Sequence, residues 1–403
     1  MKILIQKFGG TSVSTHERRI AVVEKIAKAK ESGYSPVVVV SAMGRIGQPY
    51  ATDSLLMLLT DEYKNNDKNK QGVDLLMGCG EIISSVVLCN ELYSHDIDSV
   101  PLTGGQAGII TDNEFGNAQL KNVNTDNLMK LLKEDKIPVV TGFQGENEDG
   151  FLTTLGRGGS DVSAAILGVA LKAEEIHIYT DVDGIMTADP RIVENAALIK
   201  EMSYNEVSQF AYQGAKVIHP RAVEIAMKGN IPLVIKNTMS ECVGTTIDNV
   251  GDLDSNKPVT GITHMTDRVQ IKVELSKNHD NDNYHTILPE LAENLISIDL
   301  INVFTNQKIF TINHSDLAKV DSIMKKLNLK YSHIDNCSKI AIIGSGMCGI
   351  PGVMARILKS LTKENIEIFQ TADSHTTIWC LVESRYTQEA INALHKEFNL
   401  ENK

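Results

Sequence analysis

Positive charge is what this chain is short of. Its 403 residues carry 39 lysines and arginines against 51 aspartates and glutamates, a formal net charge of −12. Such a balance excludes a general nucleic-acid binder, because phosphate contact wants a net positive surface. If the chain handles small anions, a few local cations must do it. Cysteine pairing is missing as well. Cys79, Cys89, Cys242, Cys337, Cys348 and Cys380 are scattered with no C-x-x-C pair, so neither a disulfide framework nor a zinc site is expected, and they read as reduced, mostly buried thiols of a cytoplasmic protein. No apolar run approaches the roughly 18 residues of a membrane span, and Met1–Gln6 is too short for a signal peptide. The G-x-x-x-x-G-K-[ST] phosphate loop is also absent.

What the chain does have is alternation. "KILIQ" (2–6), "SPVVVVS" (35–41), "IPVVTGF" (137–143), "EEIHIYT" (174–180) and "IPLVIKN" (231–237) read as strands buried on both faces. Periodic helices such as "RRIAVVEKIAKAK" (18–30) and "DVSAAILGVALKA" (161–173) lie between them. This pattern is that of an α/β domain on a mainly parallel sheet with helices on both faces. Ligands of such sheets sit beyond the carboxyl ends of the strands.

The polar, turn-rich stretch 248–258 reads as a linker. Beyond it, Ile287, Leu288, Leu291, Ile296 and Ile298 recur seventy positions later as Ile357, Leu358, Leu361, Ile366 and Ile368. The expected layout is therefore an α/β domain over 1–247, the linker, and two small α+β units over 259–336 and 337–403, the leading strand of the first being free to join the second. The repeat bears on "GSGMCG" (344–349), which spells the G-x-G-x-x-G of a dinucleotide site. That motif needs several βαβ units, and too little chain follows it. It reads as a tight strand-to-helix turn, with Pro351 opening the helix.

Four stretches carry chemistry. In "KFGGTS" (7–12), Gly9 and Gly10 bare the backbone and Lys7 adds a compact charge, as in a phosphate cradle; an ordinary Gly-Gly turn reads the same. In "MGCGE" (77–81), Glu81 is expected to open a helix, either as a carboxylate against the helix dipole or as a partner for a substrate ammonium. In "TTLGRGGSDVSAA" (153–165), Arg157 offers a planar fork to carboxylate or phosphate, with Ser160 and Asp161 starting a helix; Asp161 could be simply its N-cap, but an Arg, two Gly, a Ser and an Asp at one junction favour an anion site with a carboxylate beside it. In "TDVDGIMTADPR" (180–191) and "GAKVIHPRA" (214–222), Arg191 and Lys216 are cations available to polyphosphate. His219 reads as a packed structural histidine.

Taken together, "KFGGTSV", "VVVVSAMG", "GE" at 80–81, "TLGRGGSD", "YTDVDGIMTADPR" and "GAKVIHP" resemble monofunctional aspartate kinases, of the amino acid kinase fold. The resemblance covers the whole chain, its tail matching that family's paired, ferredoxin-like ACT domains. It implies ATP with Mg²⁺, L-aspartate as acceptor, and a product, 4-phospho-L-aspartate, that opens lysine, threonine and methionine biosynthesis. Lys7 and Lys216 would neutralise the transferring phosphoryl group, with Asp161 holding the lysines and Gly9 and Gly10 cradling phosphates. Ser41, Thr52, Glu81, Phe143, Arg157 and Ser160 would form the aspartate site; Thr180, Asp181 and Arg191 would line the nucleotide site. "QTADSHTTIWCLV" (370–382) is similar to the diaminopimelate-sensitive type. The implied partners are an amino-acid effector (diaminopimelate, lysine or threonine) and a second copy in a homodimer or larger assembly. Another carboxylate or carbamate acceptor, or a silent amino-acid binder, are the alternatives.

Overall fold

The structure, a computed structural model, describes residues 1–215, 217–252, 258–274, 281–347 and 349–402, and the side chains of all of these but 281–284 and 402. It divides into two compact units. The first comprises Met1–Ile185, Leu198–Ala211 and Lys216–Asp254; the second comprises Met186–Ala197, Tyr212–Ala215 and Ser255–Lys403.

In the first unit the strands are β1 (Lys2–Phe8), β2 (Tyr34–Val40), β3 (Ser99–Leu102), β4 (Ile109–Thr111), β5 (Leu120–Val123), β6 (Ile137–Thr141), β7 (Gln144–Asn147), β8 (Leu152–Thr154), β9 (Glu175–Thr180), β10 (Glu201–Ser203), β11 (Leu233–Asn237) and β12 (Thr245–Asp248). The helices are α1 (His16–Glu31), α2 (Thr52–Leu56), α3 (Asp61–Lys64), α4 (Lys70–Tyr93), α5 (Asp126–Lys133), α6 (Gly159–Ala170), α7 (Tyr204–Tyr212) and α8 (Pro220–Gly229). Eight strands make one sheet in the order β10-β12-β11-β9-β1-β2-β6-β3, parallel except where β11 meets β12. The chain begins in the middle, runs out through β2 and later returns to the other side of β1 as β9. That reversal opens a crevice above the carboxyl ends of β1, β2 and β9.

Alternation along β1 decides what faces what. Phe8 packs with Val22, Ile26 and Leu88 under α1 and α4, and Gln6 donates to the Lys25 carbonyl of α1. The opposite parity brings Ile5 beside Gly168 of α6. Lys7 follows Ile5's parity and so meets the first turn of α6.

The sequence reading placed Glu81 at the start of a helix, and here it is corrected. Glu81 lies in the interior of the 24-residue α4. Glycines in a helix interior cost about 1 kcal/mol each and look like breakers. Gly80 serves close approach instead: a Cβ there would stand 2.8 Å from Ala42 Cβ and 3.0 Å from the Tyr50 carbonyl. The segment Asp67–Tyr93 is also long and apolar enough to cross a bilayer, with a hydropathy of 1.7, which the reading of short apolar runs did not foresee. It carries the buried carboxylates of Asp74, Glu81 and Glu91. Asp74 accepts the N–H groups of Gly116 (2.9 Å) and Thr154 (2.7 Å) and the Thr154 hydroxyl (2.8 Å), fastening α4 to the small sheet β5-β4-β7-β8.

The second unit holds β13 (Gly261–Glu274), α9 (Asn281–Glu293), β14 (Asp299–Val303), β15 (Gln307–Asn313), α10 (Leu317–Lys326), β16 (Tyr331–Ile343), α11 (Val353–Lys363), β17 (Ile368–Asp373), β18 (Thr377–Glu383) and α12 (Thr387–Glu397). The sheet order β14-β15-β13-β16-β18-β17 is symmetric about its middle, and α10 and α12 begin seventy residues apart. Ile287, Leu291 and Ile296 fill one core and Ile357, Leu361 and Ile366 the other. Val259 and Ile262 enter the second of these cores, as do Ala188 and Val193. The glycine-rich run is a turn: Ser345–Met347 is a short 3₁₀ segment, and the helix opens after Gly352, whose φ is 89°. Pro351 therefore precedes the N-cap rather than opening the helix, and Cys348 lies outside the described residues. Of the five described cysteines, all free, only Cys337 and Cys380 are buried.

Candidate active site

Above the carboxyl ends of β1 and β2 lies a cavity of about 290 Å³. Lys7, Gly10, Ser41, Thr52, Glu81, Phe143, Ser160 and Asp161 line it. Lys7 reaches it from the end of β1, with its Nζ 2.6 Å from Asp161 Oδ1 and both side chains about nine-tenths buried (11% and 13% exposed). An ion pair so sheltered is screened far less than a surface pair.

Asp161 stands in the first turn of α6, but it is not the N-cap. That position belongs to Gly158, at φ 68°. Asp161 spends its oxygens elsewhere: Oδ1 faces Lys7, and Oδ2 accepts the His219 N–H at 3.3 Å. The alternative reading of Asp161 as the N-cap does not hold. Gly10 is needed for packing. A Cβ there would be 2.5 Å from the Ala42 carbonyl, so the glycine turn after β1 lies flat against the loop after β2. The Gly44 N–H bonds to the Gly10 carbonyl at 2.9 Å.

Glu81 is 2% exposed. Its Oε1 accepts the Ala42 N–H at 3.1 Å, and its Oε2 is buried without a hydrogen-bond partner. Burial pushes this carboxyl up to about 8. A carboxylate half satisfied at a cavity wall is suited to take a cation. Phe143 holds a left-handed backbone at φ 69°, costly for an aromatic residue. Its N–H donates to Ser163 Oγ at 3.0 Å, which pins that conformation.

The other expected residues are placed differently. Gly9 donates its N–H to the Tyr179 carbonyl at 3.2 Å. Arg157 is exposed and does not line the cavity. Thr180 Oγ1 accepts the Val182 N–H at 3.1 Å, and Asp181 pairs with Arg45 at 2.6 Å. Arg191 falls in the second unit, gripping Asp189 through Nε and Nη2. Lys216 lies outside the described residues. Two charged lining residues escaped the sequence reading, Arg45 and Asp53. Their signal was a cation in the loop after Ser41 and an acid in the first turn of α2.

Residues 2–237 match the model of the amino acid kinase family, and residues 332–396 that of an ACT domain. The chain is 42% identical to aspartokinase 1 of Bacillus subtilis over 99% of its length and all of that relative. It is 37% identical to the aspartokinase of Geobacillus stearothermophilus, across 99% of this chain and 98% of the other. Aspartokinase III of E. coli, solved with aspartate and ADP, shares the fold at a TM-score of 0.77 and 23% identity, over 99% of this chain and all of that one. The aspartate kinase of Clostridium acetobutylicum does so at 0.81 and 24%, over 98% of this chain and all of that one. With a kinase domain, an ACT domain and an end-to-end relationship of this depth, the chain belongs to the aspartokinases, enzymes that phosphorylate aspartate with ATP.

Proposed function

We propose that this chain transfers the γ-phosphoryl group of magnesium-bound ATP to the β-carboxylate of L-aspartate, giving 4-phospho-L-aspartate and ADP. The sheltered Lys7–Asp161 pair at the cavity, 2.6 Å apart, carries the reading. The acceptor carboxylate, with a reference pKa of about 3.9, is already ionised at neutral pH and needs no general base. One of its oxygens bonds to the γ-phosphorus, the bond to the bridging oxygen breaks, and that electron pair leaves with ADP. Since both reactants are anions, the work is positioning and neutralisation. Lys7 and Lys216 offset charge on the transferring group, Asp161 keeps Lys7 directed, and Gly9 and Gly10 receive phosphate oxygens. Glu81 takes the substrate ammonium and Arg157 a carboxylate, with Ser41, Thr52, Ser160 and Phe143 shaping the remainder. Thr180 and Asp181 line the nucleotide site. Magnesium arrives on the nucleotide, held chiefly by its phosphate oxygens.

Aspartate as acceptor is supported by the E. coli aspartokinase III complex with aspartate and ADP. Purified protein is expected to release ADP with L-aspartate and to yield an acyl phosphate that hydroxylamine traps. Release with glutamate instead would move the assignment to another acceptor, and silence with every acceptor would leave an amino-acid binder.

Regulation through the paired C-terminal repeats is part of the proposal, supported by the E. coli aspartokinase III complex with lysine and aspartate. The effector is diaminopimelate, lysine or threonine, acting on a cytoplasmic homodimer or larger assembly. Titration of the three, singly and combined, is expected to lower the rate with at least one. Indifference to all would remove regulation from the proposal.

A further inference from the structure

The loop after β2 carries an arginine that neither the sequence reading nor the family relationship assigns. Arg45 follows Gly44, whose φ is 87°. Its N–H donates to Gln48 Oε1 at 2.8 Å, and its carbonyl accepts the Gln48 N–H at 2.9 Å. The turn is thus closed on itself, and through the Gly44–Gly10 bond it is fastened to the glycine turn after β1. Arg45 also lines the cavity that Lys7 enters. Its Nη2 reaches Asp181 Oδ2 at 2.6 Å, although the two side chains are 70% and 44% exposed.

The topology gives that pair its meaning. Arg45 follows β2, Asp181 follows β9, and β1 lies between those strands. The guanidinium therefore spans the carboxyl end of β1, beside the glycine turn of Gly9 and Gly10. An exposed ion pair of this kind holds its partners only weakly. A polyphosphate offers the same fork several oxygens and more charge than one carboxylate. Exchange of partner is cheap in one direction and favourable in the other.

We propose that Arg45 is a phosphate clamp of the nucleotide site: its guanidinium rests on Asp181 in the empty enzyme and transfers to the terminal phosphate oxygens when ATP enters. The inference rests on the kinase reading above and adds to it a cation that acts on the nucleotide rather than on aspartate. Arg45 supplies charge and geometry only; no proton or bond passes through it.

The test is a ligand series read by calorimetry in the absence of aspartate, using the non-hydrolysable imido analogue of ATP, ADP, AMP and adenosine. Arg45→Ala is expected to weaken the analogue at least tenfold and ADP less, leaving adenosine unchanged. In turnover, kcat/KM for ATP should fall at least tenfold while KM for aspartate stays within about threefold. Arg45→Lys should recover only part of the loss, since an ammonium lacks the fork. The charge exchange Arg45→Asp with Asp181→Arg should not restore affinity. Equal weakening of adenosine, no weakening of the analogue, or rescue by the exchange would each reduce Arg45 to a structural latch and overturn the proposal. A wild type that binds the series yet releases no ADP with aspartate would sink the kinase reading alone. Arg45 is exposed, and matching thermal melts of variant and parent verify the fold.

Discussion

Replacing Lys7 by alanine should lower kcat about 10³-fold while aspartate affinity changes by less than about threefold. The reason is location. Lys7 sits at the end of a strand buried on both faces and directs one ammonium at the cavity, held there by Asp161. The charge it offsets is gathered only as two anions close on each other, so its loss appears in turnover rather than in ground-state binding. Part of the deficit comes from the carboxylate left behind, which would repel the phosphates. Lys7→Ala combined with Asp161→Ala is therefore expected to cost less than the two single changes predict when added. Lys216→Ala should behave like Lys7→Ala. Steady-state kinetics with coupled ADP detection measures all of these. Near-normal turnover from either lysine variant would remove that lysine from the mechanism.

Aspartate binding at pH 7 should expel close to one proton from the enzyme, and Glu81→Gln should abolish that release and raise KM for aspartate about 100-fold. In the empty site burial holds the Glu81 carboxyl at about 8, so it is mostly protonated at neutral pH. An ammonium docked on Oε2 requires the ionised form. Calorimetry in buffers of different ionisation enthalpy counts the proton, and above pH 9 the count should fall to zero. The same group fixes a stability slope. The folded carboxyl titrates near 8 against an ordinary 4.5, so between those values the folded state keeps a proton that the unfolded chain has lost. Unliganded stability should therefore fall as pH rises through that window, by up to about 1.4 kcal/mol per unit, and level off above it. Glu81→Gln should flatten the slope. A proton count of zero at pH 7 in the parent protein would show that Glu81 is ionised before the substrate arrives.

The central strands were legible because each is buried on both faces, which forces continuous aliphatic runs such as "VVVV" in β2. The seventy-residue period was legible for a related reason: two copies bury equivalent positions, as Ile287 and Ile357 show. The small sheet was not read. Its strands are three or four residues long, and β5 is largely exposed, so no period develops. Glu81 was recognised as a candidate but assigned to a helix start, because Gly78 and Gly80 look like punctuation until the neighbours that exclude a side chain are known. Arg45 was invisible for another reason. Its meaning comes from Asp181, 136 residues further on, and no spacing rule joins the two.

One stretch crosses the expected division of the chain. Residues 186–197, which include Arg191, fold with the C-terminal repeats: Ile262 donates its N–H to the Thr187 carbonyl at 2.8 Å, and the Thr187 hydroxyl meets His395 Nε2 at 2.9 Å. Ala188 and Val193 share a core with Leu394. Modules stitched in this manner cannot be traded by a single genetic crossover. A gene cut at residue 250 would yield an upstream piece bearing an apolar loop stripped of its cover and a downstream piece with a gap to fill. Lineages that gain or shed the regulatory half must therefore rewrite this loop as well, and engineers who swap effector modules between homologues will need to carry it with them.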